Sequence, residues 1–229
     1  MIFMLKIKFK FFLIVILILI ILIIDKSAAI SHIDEFPLLG KVIFVDAGHG
    51  GRDPGVVYGN IYEKDINLEI AKVLEEKLSL KGATVFLTRD SDIDHSSVYD
   101  AHKKRGDLYR RIKMIDENYL KTDIYLSIHV NWYKNSYYKG AEVLYYEGNK
   151  FNEILASSIQ EKFKKNTSTN REITTTNLYM YKYINTPGVL IECGFLSNYQ
   201  EKKLLQDKDY QATLAISITE GVIEYFNNI

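Results

Sequence analysis

The stretch KVIFVDAGHGGRDPG, residues 41–55, carries the reading of the whole chain. Its first six residues are a short apolar run that breaks off at glycine, the pattern of a strand buried on both faces. Four glycines follow, Gly48, Gly50, Gly51 and Gly55, with His49 set among them. Glycine at that density serves a backbone that bends sharply or approaches something closely. A phosphate cradle would use the glycines. It would have no use for His49, nor for Asp46 just before it.

Outward from this turn the hydrophobic period changes. Residues 63–82, EKDINLEIAKVLEEKLSLKG, place Ile66, Ile70, Val73, Leu74 and Leu78 on one helical stripe, with Gly82 positioned to end it. ATVFLT, residues 83–88, then reads as a second strand, and strand–helix–strand is a parallel crossover unit. Residues 89–106 are polar and charged and read as a long exposed loop. A helix follows with Leu108, Ile112, Ile115 and Tyr119 on one face. DIYLSIHV (123–130) and GAEVLYYE (140–147) read as the third and fourth strands. A helix through Ile154, Leu155, Ile159 and Phe163 leads to a polar stretch, then to the strand GVLIECG (188–194) and two C-terminal helices, near 201–205 and 210–226. The alternation predicts an α/β fold: a three-layer α-β-α domain with a mostly parallel central sheet.

The N-terminus has a different grammar. Lys6, Lys8 and Lys10 precede an apolar run at residues 11–24, and Ser27-Ala28-Ala29 offers a cleavage site. The run is short for a membrane span and suits a signal-peptide core, though it can also serve as an anchor. Residues 1–29 are therefore expected to be a signal peptide or N-terminal membrane anchor, 30–40 a lead-in, and 41–229 the catalytic domain, exported beyond the cytoplasmic membrane. With 29 basic against 29 acidic residues no broad field draws the chain to nucleic acid, so a membrane is met only through the N-terminal segment. Cys193 is the sole cysteine, so no intrachain disulfide forms. Its place in VLIECG reads as a packed, inert thiol.

In open α/β sheets ligands bind beyond the carboxyl ends of the strands. His49 follows the first strand, His129 ends the third, and Glu192 lies near the end of the last. Glu63 opens the helix after the glycine turn, where a carboxylate also favours the positive helix end without any metal. Three such donors with one open position describe a catalytic zinc site. His95 and His102 fall in the charged loop and His32 in the lead-in, where a solvated role is expected. A carboxylate in the apolar run around Glu192 needs a partner or a cleft. An ion pair with Arg89 or Arg111 is one reading; a general base facing a cleft is the other.

DAGHGGRDPG, the helix start at Glu63, SIHVN and IECGFLSN together resemble the zinc-dependent N-acetylmuramoyl-L-alanine amidases of the third amidase class, over residues 41–226. The resemblance implies one zinc ion per chain held by His49, Glu63 and His129, with Glu192 the catalytic base. It implies a peptidoglycan substrate, glycan strands with peptide stems, cut at the amide between N-acetylmuramic acid and L-alanine. Within the family the N-terminal apolar segment, the apparent lack of a wall-binding module and the ending LLQDKDYQ…GVIEYF are similar to the germination-specific amidases. That likeness implies spore cortex and muramic δ-lactam formation, and leaves open an activating protein partner. One departure is Trp132, where the family usually has a small residue directly after the SIHxN motif. By residues alone two further readings stay open: a zinc carboxypeptidase or aminopeptidase, and a non-catalytic wall-binding module with a structural metal.

Overall fold

The computed structural model describes residues 14–18, 20, 35–118 and 120–229. The expected cleavage site after Ala29 and His32 lie outside these residues, as does most of the expected leader, of which residues 14–18 are helical. Among the described residues no helix is long and apolar enough to cross a membrane.

Strand β1 (Val42–Ala47) is buried at every position, as its unbroken apolar run requires. After the glycine turn, β2 (Val57–Tyr58) and β3 (Ile61–Tyr62) form a small antiparallel hairpin that the sequence reading had not separated from the turn. Helix α1 (Glu63–Leu80) buries Ile66, Ile70, Leu74 and Leu78 of the expected stripe, with Val73 half-buried beside them. Gly82 ends it in the left-handed region at φ 94°, where a side chain would press on Phe36 and Leu39. Leu38, within the stretch read as a lead-in, is fully buried and donates its N–H to the carbonyl of Lys81. Strand β4 (Thr84–Leu87), helix α2 (Lys103–Asp116) and strand β5 (Ile124–Asn131) follow. Tyr119, assigned to the stripe of α2, falls outside the described residues. Then come β6 (Glu142–Tyr145), α3 (Lys150–Asn166), β7 (Thr174–Thr175), α4 (Tyr179–Tyr183), β8 (Gly188–Phe195), α5 (Tyr199–Leu204) and α6 (Lys208–Asn227). Asn149, Asn198 and Asp207 cap α3, α5 and α6 through their side chains.

The six-stranded sheet has the order β4-β1-β5-β8-β6-β7. β4, β1, β5 and β8 are mutually parallel, while β6 is antiparallel to β8 and carries β7 parallel to itself. The expected mostly parallel α/β sheet is therefore present, with its last two strands reversed.

Strand alternation sorts side chains onto two unlike faces. Ile43, Val45, Ile124, Leu126, Val189 and Ile191 point into a large core completed by α1, α3 and α6. Phe44, Tyr125 and Leu190 point the other way, into a smaller core with Ile115 of α2 and Met180 and Tyr181 of α4. Continuing β1 and β8 by two residues and β5 by four on that thinner face reaches Asp46, Glu192 and His129. The thin cover there leaves room for a cleft.

Two expectations need correction. Helix α2 starts at Lys103, inside the stretch read as loop, because its first turn is wholly polar and gives no apolar signal. Arg89, at the head of that stretch, is buried: its guanidinium donates to the carbonyls of Ala47 (2.9 Å), Gly48 (3.0 Å) and Lys64 (2.7 Å).

Candidate metal centre

At the end of β1 the backbone turns through His49, a non-glycine residue in the left-handed region at φ 62°. Such a conformation costs about 1–2 kcal/mol and persists only where neighbours impose it. Two buried arginines do so. Arg111 donates to the carbonyls of Ala47 (2.8 Å) and His49 (2.6 Å), and Arg89 takes those of Ala47 and Gly48. Three successive carbonyls of the turn are thus held by two guanidinium groups. The glycines answer a steric need: a Cβ on Gly48 would collide with the His129 ring, and one on Gly55 with the Glu63 carboxylate and the His49 ring. The turn is bare so that two imidazoles and a carboxylate can close in over it.

Glu63, the first residue of α1, is the hub. Its Oε1 lies 3.2 Å from His49 Nε2 and 3.0 Å from His129 Nδ1. The same oxygen accepts from the N–H of Val130 and the amide of Asn67, each at 3.3 Å, while Oε2 accepts from the N–H of Val56 at 2.8 Å. Burial would raise the pKa of this carboxyl, but the bonds to His129 and His49 and their charges hold it well below the usual carboxylate range. The other nitrogen of His49, Nδ1, lies 3.0 Å from Asp53 Oδ2, which fixes the ring, as metal-binding histidines require. Burial lowers the proton affinity of His49, yet Asp53 and Glu63 outweigh it and push the pKa up to about 9.

One donor atom from each of His49, Glu63 and His129 lies within 4.8 Å of the others. Two imidazole nitrogens and one carboxylate oxygen suit zinc, and the three protein ligands would leave a coordination place open. Among the described residues no fourth histidine, cysteine or carboxylate joins this group. His95 is spent elsewhere: its Nε2 meets the carbonyl of Thr88 at 2.6 Å and its N–H donates to Asp107, so the free surface role expected of it is corrected. His102 stands exposed just before α2, as expected. Cys193 is buried and its thiol is pushed up by that burial, as an inert packed thiol should be.

Glu192 pairs in register with His129 across β5 and β8, and the register shifts just beyond, between His129 and Asn131. Bulges commonly re-aim side chains beside active sites. The Oε2 of Glu192 is sealed from solvent and has no hydrogen-bond partner among the described residues. Burial first, then the charges of Glu63 and Glu142, push its pKa up to about 8, against a smaller opposing effect of His49. The ion pair with Arg89 or Arg111 is not formed. Arg111 instead meets Asp46 (2.6 Å) and Asp107 (2.8 Å). Asp46 also accepts from Ser127 (2.6 Å) and Thr88 (2.7 Å), which with Arg111 hold it well below the usual carboxylate range despite its burial. This network behind the turn, and the clamp it forms on His49, escaped the sequence reading. The signal was Asp46 itself, an acid inside an apolar strand.

The group opens into a cavity of about 550 Å³, lined by His49, Glu63, His129 and Glu192 among others. Leu108, Met180 and Leu190 contribute apolar lining, and Trp132 and Lys104 also line it. Trp132 is 49% exposed.

Comparison with known proteins identifies the chain. Residues 43–224 match the family described as N-acetylmuramoyl-L-alanine amidase. The chain belongs to that family. The amidase is 38% identical over 195 residues to the germination-specific N-acetylmuramoyl-L-alanine amidase of Bacillus subtilis (strain 168), covering 83% of this chain and 81% of the relative. Its fold superposes on the CwlD amidase from Clostridioides difficile, solved in complex with the GerS lipoprotein. That match has a TM-score of 0.78 at 36% identity, covering 82% of this chain and 100% of that one. The catalytic domain of CwlV, an N-acetylmuramoyl-L-alanine amidase from Bacillus (Paenibacillus) polymyxa var. colistinus, gives 0.70 at 32% identity, over 82% of this chain and 98% of that domain. The chain is an enzyme, an amide hydrolase acting on cell-wall peptidoglycan.

Proposed function

We propose that His49, Glu63 and His129 hold one zinc ion per chain and that Glu192 is the general base for cleavage between N-acetylmuramic acid and L-alanine. The observation that carries this reading is the Glu192 carboxylate. It is only partly exposed, its Oε2 is sealed from solvent with no hydrogen-bond partner among the described residues, and it shares a cavity with three convergent metal donors. A buried acid left unsatisfied costs stability, and such costs gather where chemistry is done.

When bound, the ion supplies Lewis acidity towards an amide carbonyl and towards water. Glu192 accepts the proton of the attacking water and returns it to the nitrogen of L-alanine as the amide bond breaks. The carbonyl carbon gains the hydroxyl, and the free amine leaves on the peptide stem. Asp53 keeps the His49 ring turned towards Glu63, and the Arg89–Arg111 clamp keeps its backbone in place. The apolar lining from Leu108, Met180 and Leu190 limits water around the reacting bond.

Residues 41–229 would be the catalytic domain, 30–40 a lead-in, and 1–29 a signal peptide or anchor that takes the enzyme outside the cytoplasmic membrane. Likeness to a germination-specific amidase supports spore cortex as the place of action and muramic δ-lactam as the fate of the stripped sugar. Since the CwlD amidase was solved with a lipoprotein, a protein partner is part of the proposal. The test is digestion of purified peptidoglycan by the full chain with and without chelator, identifying new ends by mass. New N-terminal L-alanine that disappears with chelator and returns with zinc is expected. New C-terminal residues, or activity indifferent to chelator, would contradict it.

A further inference from the structure

The loop after β5 leads from the metal-bearing cavity to a second one. Residues 132–139 read WYKNSYYK. Trp132 lines the first cavity. Tyr137, Tyr138 and Lys139 line the second, of about 320 Å³, together with Ser168, Asn170 and Arg171. Trp132 and Tyr137 are joined by at most roughly 18 Å of extended chain, the scale of a short oligosaccharide.

This loop is held, not loose. The Tyr133 N–H donates to Ser197 Oγ (3.2 Å), the Tyr137 N–H to Asn135 Oδ1 (3.0 Å), and Asn198 Nδ2 to the Ser136 carbonyl (2.8 Å). Tyr138 packs on Tyr133 with ring centroids 4.5 Å apart, and the Arg171 guanidinium lies 5.3 Å from the Tyr138 ring centre. Arg171 is itself fixed by the Lys139 carbonyl (2.9 Å) and Glu142 (2.8 Å). Yet Tyr137, on a loop so constrained, is 87% exposed. Its backbone is anchored while its ring stands open to solvent beside the cavity, and tyrosine offers amphipathic contact area at low entropic cost.

The lining pairs aromatic faces with neutral and cationic hydrogen-bonding groups and contains no carboxylate. A pyranose matches that: one face of C–H groups for the ring, an edge of hydroxyl and acetamido groups for Ser168, Asn170 and Arg171. We infer that the 132–139 loop and its cavity bind N-acetylated sugar units of the glycan strand, away from the unit whose amide is cut. This deepens the amidase reading and rests on it for the identity of the glycan. It makes the enzyme a reader of polymer as well as of the scissile bond.

The test titrates peptide-free oligosaccharides of alternating N-acetylglucosamine and N-acetylmuramic acid into the full chain in mild detergent, by calorimetry. The wild type should bind saturably. Tyr137→Ala and Asn170→Ala should each weaken binding at least about tenfold. Tyr99→Ala, which removes a ring 93% exposed elsewhere, should bind as the wild type does. No saturable binding by the wild type, or unaltered binding by both loop-cavity variants, overturns the inference. So does a Tyr137→Ala chain that changes oligomeric state in sedimentation while binding sugar normally, since the rings would then serve a protein contact. Cleavage of a single N-acetylmuramoyl-peptide reports on the amidase separately: a chain that cleaves it but binds no oligosaccharide keeps the enzyme and loses this site.

Discussion

The two faces of one sheet have been given different work. On the side of α1, α3 and α6 the strands present Ile43, Val45, Leu126, Ile128, Val189 and Ile191 to a closed apolar core. On the side of α2 and α4 the same strands present Asp46, His129 and Glu192 near their ends. Neighbouring residues in one strand therefore face the closed core or the cavity side according to parity. The thin face divides again. Asp46 and Glu192 are both carboxylates drawn into the protein, yet Asp46 is surrounded by Arg111, Ser127 and Thr88, and Glu192 has an oxygen with no partner among the described residues. The first is held below the usual carboxylate range and the second pushed up to about 8. Supply of partners, more than depth, separates the two acids.

The contrast can be broken most sharply at Glu192. Glu192→Gln should lower the rate of amide cleavage by about 10²–10⁴-fold, the usual contribution of a general base, measured on purified peptidoglycan. Its chemical stability should change little at neutral pH with metal bound. A mutant that cleaves at half the wild-type rate would mean the partnerless carboxylate is idle. At Asp46 the expected damage is to the fold. Asp46→Ala leaves the buried Arg111 short of its main counter-charge and should cost about 3–5 kcal/mol in denaturant unfolding. A loss under 1 kcal/mol would show that Asp107 alone satisfies the guanidinium.

On the opposite face, Leu74→Ala, in a fully buried position of α1, should cost about 2–5 kcal/mol while leaving the rate per folded molecule intact. An activity loss without a stability loss there would erase the division between faces. The smallest effect expected is a pH dependence in metal-stripped protein. Because the folded pKa of Glu192 lies above its ordinary 4.5, the neutral acid is what the fold favours, and that stability is lost as pH rises through about 8. Stripped Glu192→Gln should therefore match the wild type near pH 4.5 and exceed it above pH 8, by about 1–3 kcal/mol. Asp46 has the reverse sign: its contribution is present above its ordinary 3.8 and falls away in acid. A gap between Glu192→Gln and wild type that narrows with rising pH would refute the assignment.

Much of this could be read before any coordinates. The apolar runs of β1, β5 and β8 and the three-and-four stripe of α1 are local patterns, and each became its expected element. Strand ends brought His49 and His129 together because parallel strands in one sheet share a carboxyl edge. What escaped was long-range or too short to leave a pattern. Asp46 and Arg111 are distant in the chain and meet only because α2 crosses the thin face. The reversal of β6 and the two-residue β7 depend on how the intervening helix is threaded, which no periodicity records. The first turn of α2 is polar on every side, and so passed for loop.

The central claim is that three side chains hold the metal and Glu192 stands apart from it. Elemental analysis of zinc bound to purified Glu192→Gln, with His129→Ala alongside, tests this directly. About one zinc per chain is expected in Glu192→Gln and almost none in His129→Ala. Zinc lost from the first, or kept in full by the second, would contradict it.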